Sequence, residues 1–97
     1  MISLEGARAV LAGPVTLANV NAVLAEGAGA FKGLTVESRL TVDLAGVTEV
    51  DSTAVSLLLE WRRAAQREKR AIEYVNYPAN LKSLIQLYGV TELLGVT

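Results

Sequence analysis

The apolar residues at the start of the chain alternate loosely with polar ones, which is the pattern of β-strands rather than of a helix. Residues 1–15 are interrupted at Gly6, and again at Gly13 and Pro14. Because glycine and proline mark turns, this segment predicts two short strands joined by a turn around Glu5 and Gly6.

Two later segments alternate more clearly. LTVDLAGV (40–47) and AIEYVNY (71–77) combine alternation with β-branched and aromatic residues, so each predicts one more strand. The charge of Asp43 interrupts the first segment, which suggests that this residue lies near the end of its strand. Pro78 should end the second segment.

Between the strands, the apolar spacing becomes helical. A first helix is predicted after Thr16, a candidate N-cap, on the apolar residues Val20, Val23, Leu24 and Phe31. It should fray or end near Gly27, Gly29 and Gly33, because glycine costs roughly 0.5–1 kcal/mol relative to alanine inside a helix.

The clearest helix runs from Ser52 to Arg67 and has one apolar and one polar arc. The apolar arc, which predicts the core face, contains Ala54, Leu57, Leu58, Trp61, Ala64 and Ala65. The polar arc contains Ser56, Glu60, Arg63 and Arg67. Leu59 is the exception, because it lies on the flank of the polar arc and should be less buried than the other leucines.

A last helix is predicted from about Asn80 to Tyr88, with Gly89 as its C′ residue. Its apolar stripe is Leu81, Leu84, Ile85 and Tyr88. The predicted order is therefore β-β-α-β-α-β-α, an α/β fold in which helices pack on a small mixed sheet. With 97 residues, the chain has material for one core, so we predict a single domain spanning residues 1–97.

Composition removes several classes of function. Nine basic and ten acidic residues leave a net charge of -1, so no global field directs the domain toward nucleic acid or anionic lipid. The chain has no cysteine and no histidine, which argues against thiolate chemistry, a Ser-His-Asp triad and the usual zinc sites. We therefore predict no catalytic residue, no metal and no cofactor.

The length of the apolar runs indicates whether the chain could cross a membrane. No run approaches the ~18–20 apolar residues of a membrane span, and the first residues lack the pattern of a signal peptide. We expect a soluble cytoplasmic protein without direct membrane insertion.

Three consecutive residues that can each cap a helix, Asp51, Ser52 and Thr53, begin the clearest helix. Either Asp51 or Ser52 is enough to accept the hydrogen bond that caps it. The remaining hydroxyl stands where backbone N–H groups and the helix dipole favour an added anion, which makes Ser52 a candidate phosphorylation site.

The same side of this helix carries Ser56, Leu59 and Arg63. With the three capping residues they make a patch with an apolar centre and a polar edge, which is typical of a modest protein interface. We predict that these six residues bind a partner. A bland alternative stays open, in which the first residues are only a cap and Leu59 is an ordinary exposed leucine.

The stretch VDLAGVTEVDSTAVSLLLEW resembles the signature of STAS domains. In that family, a strand ending in Asp is followed by a loop, an apolar residue and Asp-Ser or Asp-Thr at the start of a helix. Those positions are Asp43, Val50, Asp51 and Ser52 here. The resemblance extends over essentially the whole chain and implies a STAS-like fold and a non-enzymatic switch or adaptor.

Within that family, three stretches look like the small STAS subunit of Mla-type phospholipid-transport ABC systems of Gram-negative bacteria. They are GPVTLANV, DLAGVTEVDSTAVSLLLEWRRAA and VNYPANLKSLIQLYGVTELL. This likeness implies that the surface around Ser52 contacts the transporter's ATPase, and through it the permease, at the cytoplasmic face of the inner membrane.

The alternative partner is an anti-sigma factor. In anti-sigma factor antagonists, the Ser after the Asp is phosphorylated by the anti-sigma factor itself, acting as a kinase, and that role would fall on Ser52. Such antagonists usually have glycines shortly afterwards, where this chain has Ala54, Val55 and Ser56. This departure favours the transporter branch.

Overall fold

The computed structural model describes residues 2–5, 8–33 and 39–94, which form a four-stranded mixed sheet with helices packed on it. The strands, in sheet order, are β1 (Ile2–Glu5), β2 (Arg8–Val15), β3 (Arg39–Val50) and β4 (Ala71–Val75). The helices are α1 (Val20–Gly33), α2 (Ser52–Arg67), α3 (Ala79–Leu87) and α4 (Thr91–Leu94). The α/β class predicted from the sequence is confirmed, and α4 is an addition to the predicted order.

Strand direction follows from the connections. β1 and β2 are antiparallel neighbours, as a short connection allows. The pairs β2–β3 and β3–β4 are parallel, because α1 and α2 return the chain to the same end of the sheet. The predicted turn at Gly6 lies outside the described residues.

The core lies on one face of the sheet. Along β3, Leu40, Val42 and Leu44 are buried, whereas the intervening Thr41 and Asp43 are only half-buried. Since successive strand side chains point to opposite faces, this alternation assigns the first set to the helix-covered face. The buried residues of the core are Ala9, Leu11, Val15, Val23, Leu40, Val42, Leu44, Val47, Ala54, Val55, Leu57, Leu58, Trp61, Tyr74, Leu81, Ile85 and Leu94.

β3 is longer than the predicted 40–47 segment, and the placement of Asp43 near its end is wrong. The pairing between β2 and β3 shifts register twice, so the simple alternation stops after Leu44 although the strand continues to Val50. Asp43 lies inside β3, where it is the last residue of the pairing with β4. β3 therefore extends beyond the end of β4, and α2 begins directly after it.

β4 ends at Val75, before the predicted Tyr77. Asn76 has a φ of 60°, in the left-handed region, which breaks the extended backbone. In α3, which corresponds to the last predicted helix, Leu81 and Ile85 are buried as predicted. Tyr88, which follows α3, is exposed and does not belong to the core.

α1 ends at Gly33, the last of the three glycines near which the sequence predicted that it would fray or end, but it passes through Gly27 and Gly29. The reason is packing between helices. A Cβ atom built at Gly27 would lie 2.3 Å from Cζ2 of Trp61, so the absence of a side chain lets the buried Trp61 indole lie against α1. Tertiary contact therefore outweighs the poor helix propensity of glycine. The side chain of Phe31 lies outside the described residues.

α2 has the predicted bounds, Ser52–Arg67. The predicted core residues are buried except Ala64, which is half-buried, and Val55 is buried although it was not predicted to be. No helix within the described residues is long and apolar enough to span a lipid bilayer.

Candidate functional site

Asp51, and not Ser52, caps α2. Its backbone is extended, with φ -133° and ψ -169°, and its Oδ1 accepts a hydrogen bond from the backbone N–H of Thr53 at 2.9 Å. The same oxygen accepts a hydrogen bond from the Thr53 hydroxyl. Thr53 is half-buried and belongs to the cap, so of the three capping residues only Ser52 is left for another role.

The second carboxylate oxygen of Asp51 binds a different part of the chain. Oδ2 accepts a hydrogen bond from the backbone N–H of Leu17 at 2.9 Å, across 34 positions in the sequence. One carboxylate thus joins the first turn of α2 to the loop between β2 and α1. This contact makes the two segments parts of one surface.

The loop between β2 and α1 is braced from within by Asn19. Its Oδ1 accepts a hydrogen bond from the backbone N–H of Thr16 at 2.9 Å, and its Nδ2 donates to the carbonyl oxygen of Pro14 at 2.8 Å. The turn before α1 is closed further by the N–H of Val20, which donates to the Thr16 carbonyl at 2.8 Å. The backbone at Leu17 is therefore held by Asp51 at the start of α2 and, within the loop, by the hydrogen bonds of Asn19.

Three donors converge on the Asp51 carboxylate and hold its negative charge in place. The hydrogen bond from the Thr53 hydroxyl is the largest cause that lowers the pKa of Asp51 below its ordinary value of 3.8, followed by the bond from Leu17. Donors to the ionised form favour it over the neutral acid. At neutral pH, Asp51 is ionised and its carboxylate oxygens are hydrogen-bonded within the chain.

Ser52 is exposed, and its hydroxyl forms no hydrogen bond to another residue of the described part of the chain. At the ~100° turn per residue of an α-helix, Ser56, Leu59 and Arg63 lie within about 60° of it. Ser56 and Arg63 are exposed. The helix therefore presents these predicted residues on one face.

Two residues of the predicted patch have contacts that the sequence does not reveal. Leu59 is half-buried and less buried than its neighbours Leu57 and Leu58, as predicted, but it also packs against the core. Arg63 forms an ion pair with Glu60, with Nη1 and Oε2 separated by 2.9 Å. Glu60 also lies 3.8 Å from Arg67 Nη2, so one carboxylate is shared by two guanidinium groups. Such exposed pairs stabilise little.

Leu17 is a surface residue that the sequence analysis missed. It is 75% exposed and lies at the Asp51 end of the patch, where its backbone is bonded to the helix cap. The signal in the sequence is an apolar residue between Thr16 and Asn19, inside a turn, where it has no strand or helix face to occupy. It supplies the exposed apolar side chain that the sequence assigned to Leu59.

Asp43, the other residue of the predicted signature, belongs to a separate polar cluster. Its Oδ1 accepts hydrogen bonds from the Ala45 N–H at 2.9 Å and from Asn76 Nδ2 at 3.1 Å, and its Oδ2 lies 3.2 Å from Arg8 Nη1. These contacts, that of Ala45 first, lower the pKa of Asp43. It joins β2, β3 and the turn after β4, and it lacks the raised pKa of a general acid.

Comparison with solved structures shows the fold of the chain. The structure of the anti-sigma factor antagonist SpoIIAA in its unphosphorylated form matches with a TM-score of 0.72 at 17% identity, over 95% of this chain and 82% of that one. A crystal structure of Mglu has a TM-score of 0.59 at 22% identity, over 81% of this chain and 20% of that one. At these identities, the likeness concerns the fold alone.

Comparison of sequences identifies a family. The family model described as "Mlab, STAS domain" matches residues 2–95, which is nearly the whole chain. No curated protein matches the sequence significantly. Proteins with STAS domains are generally regulatory or adaptor proteins that act through protein–protein contacts and not through catalysis.

Proposed function

The chain belongs to the STAS domain family described as Mlab, and on that premise we propose that it is a non-enzymatic adaptor subunit of an Mla-type phospholipid-transport ABC system. It binds the ATPase subunit, and through it the permease, on the cytoplasmic face of the inner membrane. Its role is to support assembly and activity of the transporter, while the lipid and the nucleotide are handled by other subunits.

One observation carries this proposal more than any other. The first turns of α2 hold an exposed hydroxyl at Ser52 that the helix cap does not use, because Asp51 and Thr53 complete the cap. Beside it, Ser56 is exposed as well. Small hydroxyl side chains allow another protein to approach closely and can form hydrogen bonds with it, and an apolar side chain beside them adds buried area.

The charged residues of this surface already have contacts within the chain. Asp51 accepts three hydrogen bonds, and Arg63 is paired with Glu60, which also lies 3.8 Å from Arg67 Nη2. Docking of a partner therefore does not depend on a new ion pair with Asp51 or Arg63.

Replacing Ser52 by Glu tests the proposal. The larger, charged side chain would lie in the centre of the contact, so we expect the complex with the ATPase subunit to weaken by about 1–4 kcal/mol. Ser83→Glu is the matched control, because Ser83 is an exposed serine on another helix, α3. Co-purification of the ATPase with each tagged variant gives a direct comparison, and equal recovery with Ser52→Glu and the parent would refute the contact surface.

A second candidate function is that of an anti-sigma factor antagonist controlled by phosphorylation of Ser52. The observation that favours it is the exposed Ser52 hydroxyl at the start of a helix, which a kinase can reach and where a phosphate is electrostatically tolerated. Against it, Ala54 and Val55 are buried, so the segment after Ser52 is not free to adapt to a kinase.

Mass spectrometry of the protein isolated from cells separates the two functions. The adaptor function predicts no substantial phosphorylation of Ser52 under any growth condition. A large phosphorylated fraction that changes between conditions would favour the antagonist function instead.

A further inference from the structure

We infer that Leu17 is the apolar anchor of the docking surface and that Asp51 is a positioning residue that holds this anchor beside Ser52. The inference rests on the proposed function and deepens it, because it states which side chain enters the ATPase subunit and what holds that side chain in place. The corresponding feature of the partner is an uncharged apolar recess.

Exposure alone does not distinguish Leu17, because Leu87 is equally exposed, at 76% against 75%. What distinguishes Leu17 is its place beside the proposed surface, because its N–H donates to Oδ2 of Asp51, the residue before Ser52, at 2.9 Å, whereas Leu87 ends α3. Its backbone is also supported, since Asn19 bonds to Thr16 and Pro14, which precede Leu17 in the loop. A side chain on a fixed backbone loses less conformational entropy on binding, which is the property of an anchor residue.

The position of Leu17 makes it continuous with the proposed surface. The carboxylate that accepts its N–H also accepts the N–H and hydroxyl of Thr53, so the anchor and Ser52 lie on either side of Asp51. Half-buried Leu59 adds apolar area toward Arg63 along the same helix face. The result is one exposed apolar side chain beside a helix face that carries exposed hydroxyl groups.

The chemistry of the partner follows from the side chain that it must bury. Asp51 already has hydrogen-bond donors within the chain, and Arg63 shares Glu60 with Arg67, so neither depends on a new contact in the ATPase subunit. The exposed side chain is a leucine, and an apolar recess buries it without leaving a polar group unpaired. We therefore assign an apolar, uncharged partner site.

The two oxygens of Asp51 have separate tasks, which allows them to be separated by substitution. Asn caps a helix about as well as Asp, so Asp51→Asn retains an oxygen for the N–H of Thr53. The amide nitrogen that replaces the other oxygen cannot accept a hydrogen bond from Leu17. This variant preserves the cap of α2 and removes the bond to the anchor.

The experiment measures the affinity of the full chain for the purified ATPase subunit of the host's Mla-type system. Leu17→Ala should raise Kd by about tenfold or more, because it truncates a central anchor, and Leu87→Ala, the matched control, by less than about twofold. Asp51→Asn should raise Kd by about fivefold and speed hydrogen exchange of the Leu17 amide. In the Leu17→Ala background, Asp51→Asn should have little further effect on Kd, because its target is already gone.

Each other result overturns a defined part of the inference. If Ser52→Glu weakens binding but Leu17→Ala does not, the anchor is wrong although the proposed function stands. If Leu17→Ala and Leu87→Ala weaken binding equally, Leu17 has no special role. Additive effects of Leu17→Ala and Asp51→Asn refute the positioning role of Asp51. If the parent does not bind the ATPase, the proposed function fails, and the inference fails with it.

Discussion

The two ends of α2 carry unusual residues for opposite reasons. Near the C-terminal end, Trp61 is buried against Gly27 of α1, so an otherwise poorly placed glycine is explained by packing. At the N-terminal end, Asp51 and Thr53 are explained by the helix cap, but Ser52 is exposed and is not required by the fold. The same helix is thus built for stability at one end and has surplus surface chemistry at the other.

This difference shows how a structural residue can be distinguished from a binding one in a small domain. A residue that stabilises the fold has a partner inside the chain, as Trp61 has in Gly27. A residue such as Ser52, which stands out in the sequence but has no contact of this kind within the described part of the chain, is a candidate for contact with another protein. Substitutions at the C-terminal end should therefore change stability without changing the intrinsic affinity, and substitutions of exposed residues at the N-terminal end should do the reverse.

The largest effect on stability is expected from Trp61→Ala. Removing this buried indole leaves a cavity between α1 and α2, and we expect a loss of about 3–5 kcal/mol in the free energy of unfolding. Urea unfolding followed by circular dichroism measures the loss. The affinity of the folded fraction for the ATPase should equal that of the parent, and a weaker intrinsic affinity would show that the two ends of α2 are not independent.

Gly27→Ala should have the next largest effect. Its new Cβ would lie 2.3 Å from the Trp61 ring, so the helices must separate, at a cost of about 1–3 kcal/mol. Gly29→Ala in the same helix is the matched control, because nothing lies within 4 Å of its Cβ position. That variant should be more stable than the parent by about 0.5–1 kcal/mol, because alanine is the better helix former. Thermal unfolding of both variants tests the pair, and destabilisation of both would refute the packing explanation.

Asp51→Ala should cost less stability than either change near Trp61, because the cap lies at the surface and the core remains filled. It removes the acceptors for Thr53 and Leu17 together. We expect a lower urea midpoint, with Asp51→Asn between this variant and the parent because it keeps the cap. Equal midpoints for Asp51→Ala and the parent would contradict the assignment of Asp51 as the N-cap.

The smallest effect is a dependence on acid pH. The pKa of Asp51 is lower in the folded chain than its ordinary value of 3.8, so its contribution to stability is present above about pH 4 and is lost as the pH falls through the folded pKa. The stability difference between the parent and Asp51→Asn should therefore shrink below pH 4 in urea titrations. Asp43, whose pKa is lowered as well, should behave alike in Asp43→Asn. A difference that stays constant down to pH 2 would contradict both assignments.

Much of the fold could be predicted from the sequence because local patterns and tertiary contacts agree. α2 begins at Ser52 and ends at Arg67 as its periodicity indicates. The predictions fail where a long-range contact decides the local structure. α1 continues past Gly27 because Trp61 packs there. β3 continues past Val47 because it stays paired with β2 as far as Val50, although two register shifts break its alternation.

The candidate site could be predicted only in part, for a similar reason. The sequence placed Ser52 and Ser56 on one helix face, because helical spacing alone decides that. It could not reveal that Asp51 binds the N–H of Leu17, a contact between residues 34 positions apart, and so it missed the most exposed apolar residue of the surface. Arg63 was predicted at the polar edge of the patch, and the sequence does not show that it is paired with Glu60; its role in binding stays a prediction.

Photo-crosslinking in the native host tests the central claim most directly, namely that the N-terminal end of α2 is the docking surface. A photo-reactive phenylalanine analogue is placed at Ser56 in one variant and at Gln66, an exposed residue about 15 Å further along the same helix, in another. We predict a covalent adduct with an ABC transporter ATPase from position 56 and none from position 66. An adduct with that ATPase from position 66 alone would contradict the account.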